Sequence, residues 1–118
     1  MELNEITYGT AQAIEGYGPG FFRVGGHVLR GALLVTPWEA GPWGGLSDPD
    51  AVLALRDKVD VVLLGMGRDI AHPPAAFRAA LEEAGLGLEV MSSPAAARTY
   101  NVLLSEGRRI LACLLPVD

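Results

Sequence analysis

The sequence predicts an α/β domain: a mostly parallel sheet with crossover helices packed on it, extended by an N-terminal antiparallel hairpin. Three observations carry that expectation. The run VDVVLLGMG (residues 59–67) is continuously apolar and closed by glycines, as in a strand buried on both faces. From there to residue 117 strand and helix patterns alternate, the signature of right-handed parallel crossovers. Upstream, two apolar segments flank Gly25-Gly26, a dipeptide suited to the positive φ angles of a tight hairpin turn. With 118 residues, half of them hydrophobic, the chain is expected to form one domain (residues 1–118) with a real core.

Each element has its own justification. Residues 1–13 carry no strong periodicity and are expected to form a loosely held arm. Residues 20–25 and 27–35 read as the antiparallel pair, and PWEAGPWGGLSDPD (37–50), rich in Gly and Pro, as a long surface loop. Ser47 or Asp48 then caps a helix with Pro49 at its first position and Val52, Leu53 and Leu55 on its apolar side. After the strand at 59–67, PPAAFRAALEEAG (73–85) predicts a helix with Phe77, Ala80 and Leu81 on one stripe and Gly85 as its stop. LGLEVM (86–91) is the next strand. A third helix starts at Ser92 or Ser93, with Pro94 in its first turn, and stops at Gly107. Its Ala96, Ala97, Tyr100, Leu103 and Leu104 share one face, and Arg98, Asn101 and Ser105 the opposite side. A buried Tyr100 needs a partner for its hydroxyl. RRILACLLPV (108–117) is the last strand, ended by Pro116.

Composition narrows the function. A net charge of −5 argues against broad binding to nucleic acid or anionic membranes. No apolar run approaches the roughly 20 residues of a spanning helix, so direct membrane insertion is not expected. The acidic, polar start MELNEITYGT is unlike a signal peptide, which suggests a cytoplasmic location. One cysteine and two histidines disfavour a disulfide or a metal cluster, and no cofactor motif is present. Cys113, mid-strand among leucines, is expected to be buried and inert. His27 and His72 read as exposed turn residues, Glu82, Glu83 and Glu89 as a solvated face, and no GxSxG elbow or acid–base pair emerges.

Two groups of residues remain as site candidates. GMGRD (65–69) and MSSP (91–94) both follow strands, and ligands of open parallel sheets sit beyond such strand ends. If the strands are neighbours, Gly65, Gly67, Arg68, Ser92, Ser93 and Arg98 would form a pocket for a small phosphate or carboxylate. Turn glycines, helix caps and surface salt links account for the same residues and are the favoured explanation. Trp38 and Trp43, in the Gly/Pro-rich loop, either fold back over one end of the core, the slightly favoured alternative, or form a partner surface.

GYGPGFFRVGG (16–26), LLGMG (63–67) and EVMSSPAAARTYNVLLSEGRRILACLLP (89–116) resemble the domain of unknown function 498 family, the Mth-type domain. Its members include mitochondrial complex I assembly factor 3 and an adipogenesis-associated Mth-domain protein. The most specific part is Met91, Arg98-Thr99-Tyr100-Asn101 and Glu106-Gly107-Arg108-Arg109 at these spacings. The resemblance implies a compact three-layer α/β domain without an established enzymatic activity. For the mitochondrial branch it implies a protein-binding role in assembling a membrane respiratory complex. Members often carry a cysteine before the Arg-Thr-Tyr-Asn motif; here that stretch is Ala95-Ala96-Ala97, which removes any thiol-based role for it. The expectation is therefore a bacterial, non-enzymatic interaction factor with protein partners, membrane-complex subunits among them, and with homodimerisation left open. The alternative is the anion pocket. Arg98, Asn101 and Arg108 are expected to hold loops at the helix ends through charge-assisted hydrogen bonds.

Overall fold

Residues 12–118 are described by the structure, a computed structural model. β1 (Ile14–Gly18), β2 (Phe21–Val24) and β3 (His27–Arg30) form a three-stranded antiparallel sheet. Gly25 and Gly26, at φ +56° and +85°, make the β2–β3 turn as expected. Of the arm expected over residues 1–13, residues 1–11 lie outside the described residues. Gln12 and Ala13 are held: the Gln12 N–H donates to Pro37 C=O at 3.1 Å, and Ala13 C=O accepts from Gly25 N–H at 3.2 Å. The same sheet is tied to residues near 117, because Gly20 N–H donates to Val117 C=O at 2.6 Å and Pro19 bridges Val117 in parallel.

The hairpin does not run on to residue 35. The chain turns at Gly31 (φ +83°), and Leu33–Val35 enters a second sheet as β4. All three residues of β4 are buried, whereas β3 is largely exposed. A strand apolar on both faces belongs inside a covered sheet. Nor is 37–50 all loop, since Ala40–Pro42 is β5, antiparallel to β4. Thr36 and Glu39 close the turn between them: Thr36 N–H donates to Glu39 C=O at 2.8 Å, and Glu39 N–H to Thr36 Oγ1 at 3.1 Å. Pro37 supplies the fixed φ favoured at the second position of such a turn.

The second sheet has the order β5-β4-β8-β6-β7, with β6 Val61–Gly65, β7 Gly87–Met91 and β8 Ile110–Leu114. β6 is parallel to β7 and to β8, but β4 is antiparallel to β8 and to β5. The sheet is mixed rather than mostly parallel. Its parallel part is the crossover region, and the antiparallel part is the short-turn β4–β5 unit docked on β8, a pairing that a tight turn imposes.

Helix α2 (Ala75–Glu83) joins β6 to β7, and α3 (Ser93–Ser105) joins β7 back to β8. The chain moves outward and then returns, so right-handed crossovers place the two helices on opposite faces. Strand alternation matches. Leu33, Val35, Leu63, Ile110, Ala112 and Leu114 pack with Tyr100 of α3 and Phe22 and Val24 of the small sheet. Leu34, Val62, Leu64, Leu111 and Cys113 pack with Phe77 and Leu81 of α2 and Val52 of α1 (Pro49–Leu53). The result is three layers, each fully buried large aliphatic side chain stabilising by about 1.5–3 kcal/mol. At the end of α2, Gly85 (φ +80°) makes the expected stop, with Gly85 N–H on Glu82 C=O and Leu86 N–H on Leu81 C=O.

Candidate functional site

The strand ends flagged by the sequence do meet, and side chains of the chain itself fill the space between them. Gly65 and Gly67 end β6 beside the start of α3. Ser93 Oγ accepts from Gly67 N–H at 2.9 Å and donates to Leu115 C=O at 2.6 Å, while Ser93 N–H donates to Gly67 C=O at 2.7 Å. One buried hydroxyl thus stitches the ends of β6 and β8 to α3. Gly65 is required by proximity: a Cβ there would lie 2.7 Å from Ser93 Cα and Oγ. Gly67 is required by its φ of +98°.

The first turn of α3 has no amide to offer an anion. Ser92 is the N-cap, its Oγ accepting from Ala95 N–H at 3.3 Å, and its C=O accepts from Ala96 N–H at 2.9 Å. Ser93 N–H is engaged by Gly67, and Pro94 has none. The two arginines are elsewhere. Arg68 is exposed and reaches Asp118, Nε to Oδ1 at 3.9 Å. Arg98 is exposed on α3 and lines a different cleft. Gly65, Gly67 and Ser93 converge, Ser92 caps, and Arg68 and Arg98 do not join them. The anion-pocket expectation is not supported.

The Arg-Thr-Tyr-Asn motif divides by role. Tyr100 is fully buried, and its hydroxyl donates to Gln12 C=O at 2.7 Å. Asn101, expected on the outer side of the helix, instead turns toward β1. Its Oδ1 accepts from Ile14 N–H at 2.9 Å and its Nδ2 donates to Ile14 C=O at 2.7 Å, so the amide pairs with β1 as another strand would. Arg98 makes no ion pair or hydrogen bond among the described residues. The charge-assisted bond expected of Arg98 and Arg108 is made by Arg109, whose Nη2 and Nε reach Asp60 Oδ1 and Oδ2 at 2.6 and 3.2 Å. That bond, before all else, holds the Asp60 carboxyl below its usual pKa. Gly107 (φ +73°) ends α3, with Gly107 N–H on Leu104 C=O and Arg108 N–H on Leu103 C=O.

What Arg98 faces is a cleft of about 290 Å³ between α3 and β1, lined also by Ile14, Glu15, Tyr17, Pro94 and Ala97. Tyr17 is 47% exposed there, a large aromatic ring on the surface. The sequence missed this cleft because β1 had no strand pattern of its own to bring Tyr17 beside α3.

The tryptophans behave differently from one another. Trp43 is buried, so it offers no partner surface; its Nε1 donates to Asp48 C=O at 2.9 Å, and its ring lies 6.0 Å from that of Phe77. It closes the α1–α2 end of the core. Trp38 is half-buried against the same cluster. Cys113 is fully buried, and burial pushes its thiol pKa up, away from the reactive thiolate. Among the described residues no group of three or more His, Cys, Asp or Glu side chains is placed to hold a metal, and no helix is long and apolar enough to cross a membrane.

Residues 14–115 match the model of a family described as a protein of unknown function, DUF498/DUF598. An uncharacterised protein of Rhodobacter capsulatus is 51% identical over 117 residues, covering 99% of this chain and 94% of that one. NADH dehydrogenase [ubiquinone] 1 alpha subcomplex assembly factor 3 of Danio rerio is 30% identical over 119 residues, covering 95% of this chain and 67% of the relative. Among solved structures, an outer membrane protein from Bartonella henselae superposes with a TM-score of 0.83 at 32% identity, covering 94% of this chain and 99% of that one.

Proposed function

This chain belongs to the DUF498/DUF598 family, and from that membership we propose that it is a non-enzymatic, cytoplasmic protein-binding factor that assists assembly of a bacterial respiratory membrane complex. The observation that carries this reading is the likeness to the Danio rerio assembly factor, which extends over 95% of the chain and so includes both sheets and α3. Shared fold alone would not reach function. The division of labour within α3 adds to it. Tyr100 and Asn101 are consumed in holding Gln12 and the β1 residue Ile14, whereas Arg98 of the same motif stands beside exposed Tyr17. Arginine and tyrosine are the residue types that anchor protein interfaces. The contact surface for the partner subunit is accordingly the α3–β1 cleft, in place of the tryptophan loop.

Deletion of the gene in its own host tests this. Membranes resolved by native electrophoresis and stained for NADH oxidation are expected to show depleted assembled complex. Wild-type protein should restore it, and an Arg98→Glu/Tyr17→Ala variant that melts normally should not. Undiminished complex in the deletion strain would overturn the proposed role; equal rescue by the variant would overturn the assigned surface.

A further inference from the structure

A sheet edge presents a row of unpaired N–H and C=O groups, and proteins that remain monomeric shield their edges with short strands, proline, charge or a covering element. The edges of this molecule differ in that respect. β5 has only three residues, ends in Pro42 and lies against β3. β3 carries His27 and Arg30 at its two ends. β1 has its Ile14 N–H and C=O taken by Asn101. β7 (GLEVM) has the fewest of these devices: it is five residues long, outermost in the large sheet, without proline or cation and with the single charge of Glu89, and no described strand lies beyond it.

The polar groups on that edge can be assigned. Met91 C=O accepts from Met66 N–H on the β6 side. Alternation then turns the N–H and C=O of Leu88 and Val90 outward, away from β6. A two-fold axis at Glu89 would set Leu88 of one copy opposite Val90 of the other, so that each pair exchanges both hydrogen bonds.

The charges above the edge obey the same axis. Arg78 of α2 and Val90 line one hollow of about 270 Å³, which puts Arg78 beside the Val90 end of β7. Glu82, paired with Arg78 at 3.6 Å, is one helical turn further on, about 6 Å. As a crossover helix α2 runs opposite to β7, and two strand residues span about 6.6 Å, which brings Glu82 level with Leu88. An axis that exchanges Val90 with Leu88 therefore exchanges Arg78 with Glu82. We propose that two copies of this chain associate through β7, antiparallel about Glu89, joining their large sheets edge to edge with Arg78 of each copy against Glu82 of the other. Glu89 meets its own counterpart at the axis, a like-charge contact that opposes the pairing and keeps it reversible.

Charge reversal tests the geometry without disturbing the core. Sedimentation equilibrium of the wild type is expected to show a monomer–dimer equilibrium. Arg78→Glu and Glu82→Arg should each weaken it roughly ten-fold, because each sets like charges across the axis. Mixed together, the two variants should form a heterodimer visible by native mass spectrometry, since every cross-axis pair is then of opposite sign. Amide exchange at Leu88 and Val90 should slow as wild-type concentration rises. A wild type that stays monomeric to its solubility limit overturns the proposal. So does a dimer indifferent to both reversals with concentration-independent exchange at those amides.

Discussion

Asn101 holds Ile14 across a sequence separation of 87 positions, accepting from its N–H and donating to its C=O at 2.9 and 2.7 Å. Asn101→Ala is expected to orphan both backbone groups, at a cost of about 1–3 kcal/mol for each that water does not reach. Asn101→Asp should also destabilise, because a carboxylate accepts from the N–H but repels the carbonyl. Urea unfolding midpoints at constant m-value check both; an unchanged midpoint for Asn101→Ala would show that this clamp does not hold β1.

Ser93 and Gly65 form a second constraint. Ser93→Ala leaves Gly67 N–H and Leu115 C=O without their hydroxyl partner, at a cost of about 1–3 kcal/mol per buried group. Gly65→Ala forces a Cβ to within 2.7 Å of the Ser93 backbone, and overpacking of this kind costs about 1–3 kcal/mol. Because Ser93 Cα is one of the atoms struck, adding Ser93→Ala should not rescue Gly65→Ala. Thermal melts of the three variants measure this.

Acid should act through Asp60. Its folded-state pKa is depressed, so its contribution is fully present above the unfolded value, about 4. That contribution is lost as pH falls through the folded value. Asp60→Asn is therefore expected to melt below the wild type at pH 7 and to converge with it in strong acid. The gap should be small and should shrink with salt, since both side chains are more than half exposed. Melting curves at several pH values and two ionic strengths report it.

Cys113 gives a kinetic readout of unfolding. Buried and with its pKa raised, the thiol should react with a disulfide reagent at pH 8 only as fast as the strand β8 opens. Stabilising or destabilising variants should change that rate in proportion to their effect on opening. Reaction at the rate of a free thiol in native buffer would contradict the buried assignment.

The crossover half of the fold was legible from the sequence because its signals are local. Apolar runs at 61–65 and 110–114, Pro94 in a first turn, and Gly85 and Gly107 after helices each declare an element without help from distant residues. The N-terminal half was harder. β1, with its two glycines, and β5, with a glycine and a proline, are made strands by their partners: Asn101 and β2 for one, β4 and the Thr36–Glu39 turn for the other. The same distance hides site chemistry. A periodicity wheel places Asn101 with Arg98, but the strand laid beside α3 makes Asn101 a half-buried residue and leaves Arg98 exposed. Ser93 was flagged by its spacing from a strand end, yet only its packing over Gly65, which leaves no room for a Cβ there, reveals that it fills the crevice.

The bond between Gly20 and Val117 sets an order of events during synthesis. Translation delivers β1, β2 and β3 first, but the residues that complete their sheet, Tyr100, Asn101 and Val117, emerge nearly a whole domain later. Until then the nascent small sheet has Phe22 and Val24 with nothing to cover them, the kind of exposed apolar surface that chaperones bind. Strands made before the crossover half of this domain are thus secured only after it.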